Sequence, residues 1–311
     1  MAGPAVLARG LRKAYGSRVA VDGISLEVRR GECFGFLGPN GAGKTTTMRM
    51  LACLSERDAG ELAVLGMDPD IEPRSLKARL GVVPQEINLD LELTVLENML
   101  VYARYFGIKA GPARERAMDL LRFVDLHERA DDTVVKLSGG MQRRLQIARA
   151  LINDPEMILL DEPTTGLDPQ ARRMVWERLR DLRAGGTSVV ITTHYMDEAE
   201  RLCDRLVVID HGEVVREGPP ADLVRDEVGA EALEVRCDPA DAAGLAQAVS
   251  PRHMVAGDMV VAFGDDAETL RRRADASGIK WDLIAERRAT LEDLFIMLTG
   301  HSLREGAPGE E

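Results

Sequence analysis

Residues 38–45 read GPNGAGKT, a glycine-rich loop between a short apolar run, CFGFL (33–37), and a segment of helical periodicity that begins near Lys44. A loop of the form G-x4-G-K-[ST] works only when a buried strand delivers it and a helix leaves it. Its backbone N–H groups and the positive end of that helix then surround phosphate oxygens. Gly38, Gly41 and Gly43 permit positive φ and close backbone approach. Lys44 is placed to reach the β/γ-phosphates and the Thr45 hydroxyl to ligate Mg²⁺. Pro39, Asn40, Ala42 and Thr46 complete the loop. A functionless glycine-rich turn would match this pattern by accident at roughly the per cent level in a chain this long. The strand before it and the helix after it reduce that further.

Around the loop, short apolar runs recur at 80–83, 157–160, 188–192 and 206–209, with helical patterns near 94–106, 112–124, 139–152 and 169–184. Buried strands alternating with helices predict an α/β fold with a mostly parallel sheet covered on both faces. Upstream, Val19, Val21, Ile24, Leu26 and Val28 alternate about Asp22-Gly23, which predicts an antiparallel strand pair turning there. Beyond Pro219-Pro220 the pattern changes. Strands over 231–237, 258–263 and 279–285, with helices over 240–249, 267–276 and 289–299, predict a small α+β domain. We expect a first domain over 1–228, an accessory domain over 229–302 and a disordered polar tail over 303–311.

Residues 157–162, MILLDE, form an apolar strand ending in two acids, at the edge of an open α/β sheet where ligands bind. Asp161 is placed to hold Mg²⁺ and Glu162 to orient or polarise the attacking water. A binding switch needs only the first acid; the second implies turnover. A strand that ends in two solvated acids is the alternative, and the phosphate loop in the same chain weighs against it.

Residues 137–144, LSGGMQRR, precede this strand and open a predicted helix. Here the sequence resembles the ABC ATPase family, whose signature has this form. Ser138, Gly139 and Gly140 offer hydroxyl and backbone donors to an anion at a helix N-terminus. In that family the signature faces the γ-phosphate bound by a second subunit, which implies a head-to-tail dimer, expected to be a homodimer, around two ATPs. Met141 stands where many members carry Gln, and Gln142 follows one place later, which leaves the role of Gln142 open. The resemblance also implies that Tyr15 stacks on adenine and that Gln85 links Mg²⁺ and water to a membrane partner. It implies that Asp168, in Gly166-Leu167-Asp168, contacts the opposite subunit and that His194 contacts the γ-phosphate. A surface aromatic, a loop glutamine and a structural histidine are the plainer readings of Tyr15, Gln85 and His194. The resemblance spans residues 5–225 and implies ATP and Mg²⁺ as cofactors, with catalysis by Glu162, His194 and Gln85. It also implies an antiparallel β subdomain and a helical subdomain beside the main sheet.

Three stretches, 88–108, 152–173 and 193–212, together with LEDLFIMLTG (291–300), resemble the ATPases of ABC-2-type exporters, the nodulation-factor and daunorubicin-resistance groups in particular. That implies a separate ABC-2-type permease which selects a small-molecule, lipid-linked or glycan-type cargo. An importer subunit, or an ABC ATPase acting on ribosomes or DNA, are the alternatives. The 94–106 helix, with Leu96, Met99, Leu100, Tyr102, Ala103 and Phe106, fits either a core or a groove for a partner's helix. Composition narrows the partners. A net charge of −12 argues against nucleic acid. No stretch approaches the ~18 apolar residues of a membrane span, and the first residues lack a signal peptide's apolar segment. We therefore expect a peripheral protein at the cytoplasmic face of the membrane. Cys33, Cys53, Cys203 and Cys237 are scattered, without the spacing of a zinc site or disulfide framework.

Overall fold

The computed structural model describes residues 3–299; the tail predicted over 303–311 lies outside them. The chain divides into two compact units between Val215 and Arg216.

The first unit opens with a hairpin, β1 (Val6–Tyr15) antiparallel to β2 (Arg18–Val28). It turns at Gly16-Ser17 and not at Asp22-Gly23. Leu11 pairs with Ile24 and Arg12 with Asp22, so Gly23, at φ 78°, is the extra residue of a bulge. An Asp-Gly pair suits a tight hairpin turn as well, and the register against β1 decides between the two. β3 (Cys33–Leu37) is buried throughout and runs through the phosphate loop into α1 (Lys44–Leu51). β4 (Ala59–Val64) returns to β1 and completes an antiparallel sheet of order β2-β1-β4.

After α2 (Pro73–Lys77) and β5 (Leu80–Val83), three helices follow: α3 (Val95–Tyr105), α4 (Ala110–Phe123) and α5 (Gly139–Ala150). They share a core that includes Met99, Ala103, Leu121 and Leu145, against which Leu100, Tyr102 and Phe106 pack. The apolar stripe of α3 is therefore a core face, while Val101 and Tyr105 remain exposed. Thr94 starts α3 with a capping box: its hydroxyl accepts the Glu97 N–H, and the Glu97 carboxylate accepts the Thr94 N–H.

β6 (Met157–Asp161), α6 (Pro169–Ala184), β7 (Ser188–Thr193), α7 (Met196–Leu202), β8 (Arg205–Asp210) and β9 (Glu213–Gly218) complete the main sheet. Its order is β5-β6-β7-β3-β8-β9, parallel from β5 through β8. Every residue of β3, β6 and β7 is buried, which explains their continuous apolar runs. β4, α2, α7 and β9 escape the sequence pattern because each is short and none is buried along its whole length, so no continuous apolar run marks them.

The second unit holds α8 (Pro220–Glu227), β10 (Glu231–Cys237), α9 (Ala242–Val249), β11 (His253–Ala256), β12 (Met259–Gly264), α10 (Ala267–Ala276), β13 (Trp281–Arg288) and α11 (Leu291–Thr299). The strands form an antiparallel sheet, β11-β12-β10-β13. Leu233, Val235, Val260, Leu245 and Leu270 build the core between this sheet and α9 and α10. The structural division falls upstream of 228/229 because α8 packs against α11.

Candidate active site

Four adjacent parallel strands, β5-β6-β7-β3, end side by side, and a site residue follows each. Gln85 lies just past β5, Asp161 ends β6 with Glu162 next, His194 follows β7, and the phosphate loop follows β3. Carboxyl ends of neighbouring parallel strands bring groups that are distant in sequence to one edge.

The loop's geometry demands its glycines. Gly41 and Gly43 have φ of 83° and 104°. A Cβ on Gly43 would lie 2.4 Å from the Ala20 carbonyl oxygen, and one on Gly38 would lie 2.2 Å from that of Ile209. Lys44 is buried and donates to the carbonyl oxygens of Gly38 (2.7 Å) and Pro39 (3.0 Å). Burial pulls its pKa down, opposed by the charges of Glu162 and Asp161. The Thr45 hydroxyl donates to Asp161 Oδ1 at 3.3 Å, and the Thr192 hydroxyl donates to the same oxygen.

Glu162 is 6% exposed and has φ 47°, a left-handed conformation that costs a side-chain-bearing residue about 1–2 kcal/mol. Its N–H donates to the carbonyl oxygen (3.1 Å) and the hydroxyl (3.0 Å) of Thr192. Gln85 Nε2 (3.2 Å) and the Thr165 hydroxyl (3.0 Å) both donate to Glu162 Oε2. His194 Nδ1 lies 3.2 Å from Oε1. Burial alone would raise the Glu162 pKa; His194, Thr165 and Lys44 outweigh it and hold the carboxyl below its ordinary range. Glu162 is thus a buried carboxylate at neutral pH, suited to accept a hydrogen bond from water. The His194 ring lies against Tyr195 (centroids 4.1 Å apart), and Tyr195 in turn lies under the Arg172 guanidinium at 4.4 Å.

Tyr15, Asn40, Thr46, Gln85 and Glu162 line one groove of about 470 Å³ with Gly41, Gly43, Lys44 and Thr45. The Tyr15 ring is half exposed, open to stacking. Pro39 and Ala42 shape the loop, the Ala42 N–H donating to the Pro39 carbonyl oxygen at 3.2 Å.

The signature residues form a second cluster. Ser138 caps α5 by accepting the Met141 N–H at 3.3 Å. A Cβ on Gly140 would lie 2.9 Å from the Ala171 side chain, so the signature abuts the start of α6. Asp168 caps that helix, accepting the N–H groups of Gln170 (2.9 Å) and Ala171 (2.8 Å). Ser138, Gly139, Gly140 and Asp168 are not among the groove-lining residues. Gln142 Nε2 donates to the carbonyl oxygens of Val134 and Leu137, each at 3.3 Å, which ties the preceding loop to α5.

Two further residues belong to the site, and sequence reasoning passes over both. Thr165 holds Glu162, and its place three residues after the acid is the signal for it. Arg143 lies buried beneath both acids, and a charged residue on the inner face of the signature helix was the sign available.

A phosphate loop, an acid pair at a strand end and a serine-glycine helix cap define an ATP-binding cassette, an ATPase. A family model for ABC transporter matches residues 21–165. The chain is 46% identical over 309 residues to the Nod factor export ATP-binding protein I of Ralstonia nicotianae, covering 97% of this chain and 96% of that one. It is 45% identical over 298 residues to the protein of the same name from Rhizobium sp., covering 95% and 97%. Among solved structures it is similar to a dimeric ATP-binding cassette in a post-hydrolysis state bound to ADP and Pi. There the TM-score is 0.64 at 30% identity, over 69% of this chain and 98% of that one. The chain belongs to the ABC transporter family.

Proposed function

We propose that this protein is the ATP-hydrolysing subunit of an ABC-2-type exporter, held at the cytoplasmic face of a membrane by a separate permease. Residues 1–228 are its cassette and 229–302 its accessory domain. The observation that carries the hydrolytic reading is the convergence of the phosphate loop, Gln85, Asp161, Glu162 and His194 at the ends of four adjacent strands. Nearly full-length likeness to export ATP-binding proteins supports the transport reading and a small-molecule, lipid-linked or glycan-type cargo. Among the described residues no helix is long and apolar enough to cross a membrane, so transport requires a membrane-spanning partner.

ATP binds with its adenine on Tyr15 and its phosphates in the loop, where backbone N–H groups, the α1 dipole and Lys44 neutralise their charge. Thr45, Asp161 and Gln85 supply hydroxyl, carboxylate and amide oxygens, a donor set that fits a hard divalent cation, and Thr45 and Asp161 already touch. Mg²⁺ held there would offset phosphate charge. Glu162 orients and polarises water, Gln85 and Thr165 hold Glu162, and His194 stands beside its second oxygen for the γ-phosphate. Ser138, Gly139 and Gly140 lie outside the groove, so a second copy of the chain supplies them to complete the site, with Asp168 facing that copy. Gln142 acts behind them by steadying the loop.

Co-purification of the tagged chain from gently solubilised native membranes tests the transport reading. A stoichiometric multi-span protein is expected. Recovery with ribosomes or nucleic acid and no membrane protein would overturn it.

A further inference from the structure

Arg143 lies in the first turns of α5 and is 3% exposed. Its Nε donates to the carbonyl oxygen of Pro163 at 2.8 Å. Nη2 donates to those of Asp161 (3.0 Å) and Glu162 (2.6 Å). Nη1 reaches the carbonyl oxygens of Pro84 (2.6 Å) and Gln85 (3.4 Å) and Oε1 of Gln146 (2.7 Å). One guanidinium thus joins the main chain of the segment after β5 to the main chain of the turn after β6.

Those two segments carry the two side chains that meet at the water-activating carboxylate, Gln85 and Glu162, 3.2 Å apart. The turn at Glu162 takes the chain out of the sheet in a left-handed conformation. Its carbonyl oxygens therefore lie past the end of the ladder and need donors from elsewhere. A planar fork of five N–H groups serves both segments at fixed spacing. Lysine, with one ammonium on a flexible stem, cannot span them. Burial lowers the Arg143 pKa to about 10, with Asp161 and Glu198 opposing, so the group is charged at neutral pH.

We propose that Arg143 is a positioning residue for hydrolysis, fixing the Gln85 and Glu162 backbones so that their side chains hold water in line for attack. This rests on the assignment of Glu162 above. Arg143 touches backbone and the Gln146 side chain and does not line the groove, so its loss falls on turnover and leaves nucleotide affinity.

In the full chain, Arg143→Lys and Arg143→Gln should each lower kcat for ATP by about 100-fold, the scale of a misplacement near 1 Å. ATP affinity by titration calorimetry should stay within about threefold of wild type. In a Glu162→Gln background, Arg143→Lys should cost less than about threefold more, because both changes remove one function. Arg116→Lys is the control for lost stability. Its guanidinium also grips backbone carbonyls, those of Leu151 (2.9 Å) and Ile152 (2.8 Å), away from the site. It should lower the melting temperature and keep kcat. Wild-type kcat in the Arg143 variants, or an equal loss with and without Glu162, would overturn the proposal. Wild-type turnover in Glu162→Gln alone would instead sink the assignment of Glu162, a separate failure.

Discussion

His194 Nδ1 lies 3.2 Å from Glu162 Oε1, so the imidazole stands against one oxygen of the carboxylate. The other carboxylate oxygen, Oε2, already accepts from Gln85 and Thr165. In our reading Oε1 is the oxygen that faces water, with the imidazole beside it. Replacing His194 by Ala should reduce kcat by about 100-fold, as for loss of one preorganised group, and change ATP affinity much less. Steady-state hydrolysis beside calorimetric titration checks this; a kcat within twofold of wild type would remove His194 from the reaction.

The same contacts set a pH dependence. The Glu162 pKa in the folded chain lies below its ordinary 4.5. A depressed carboxyl contributes stability that is present above the unfolded value and is lost as pH falls through the folded one. The melting-temperature difference between wild type and Glu162→Gln should thus shrink as pH falls below about 4.5. A difference that grows as pH falls below about 4.5 would contradict the sign.

Glu198 behaves in the opposite way. It is fully buried, accepts from Thr164 (2.9 Å) and Trp176 Nε1 (3.0 Å) through one oxygen, and leaves the other without a partner. Burial raises its pKa above 4.5 in spite of those donors. A raised carboxyl favours the folded state below its unfolded value, and that stability is lost as pH rises through the folded value. Glu198→Gln keeps the accepting oxygen and removes the titration. Its melting temperature should gain on wild type from pH 5 to pH 8; a gap that is constant or narrows would refute the reading.

Glycines at the two clusters should respond differently. Gly43→Ala puts a methyl 2.4 Å from a backbone oxygen at φ 104°, which should cost at least ~1–3 kcal/mol and abolish ATP binding. Gly139→Ala meets nothing within 4 Å. It should leave the melting temperature unmoved and reduce hydrolysis, because in our reading that glycine serves the second copy's nucleotide. Calorimetric melting and an ATPase assay on both variants decide. Equal destabilisation would mean that Gly139 has a packing role.

The sequence alone determined the chemistry of each segment. GPNGAGKT, MILLDE and LSGGMQRR name their residue types in order, and the buried runs of β3, β6 and β7 announce parallel strands because both faces are covered. Short-range pattern decided these, and it is written in consecutive residues. The tertiary structure alone decided which strands are neighbours. The order β5-β6-β7-β3 puts Gln85, Glu162, His194 and Lys44 at one edge, and nothing local encodes it, since parallel pairing joins residues far apart in the chain. The same holds for Gly23, a bulge because of its register against β1, and for Arg143. Its helix position was legible, but five of its six acceptors come from segments that only folding brings beneath it. A buried charge declares its purpose through its partners, and partners are a property of the packed chain.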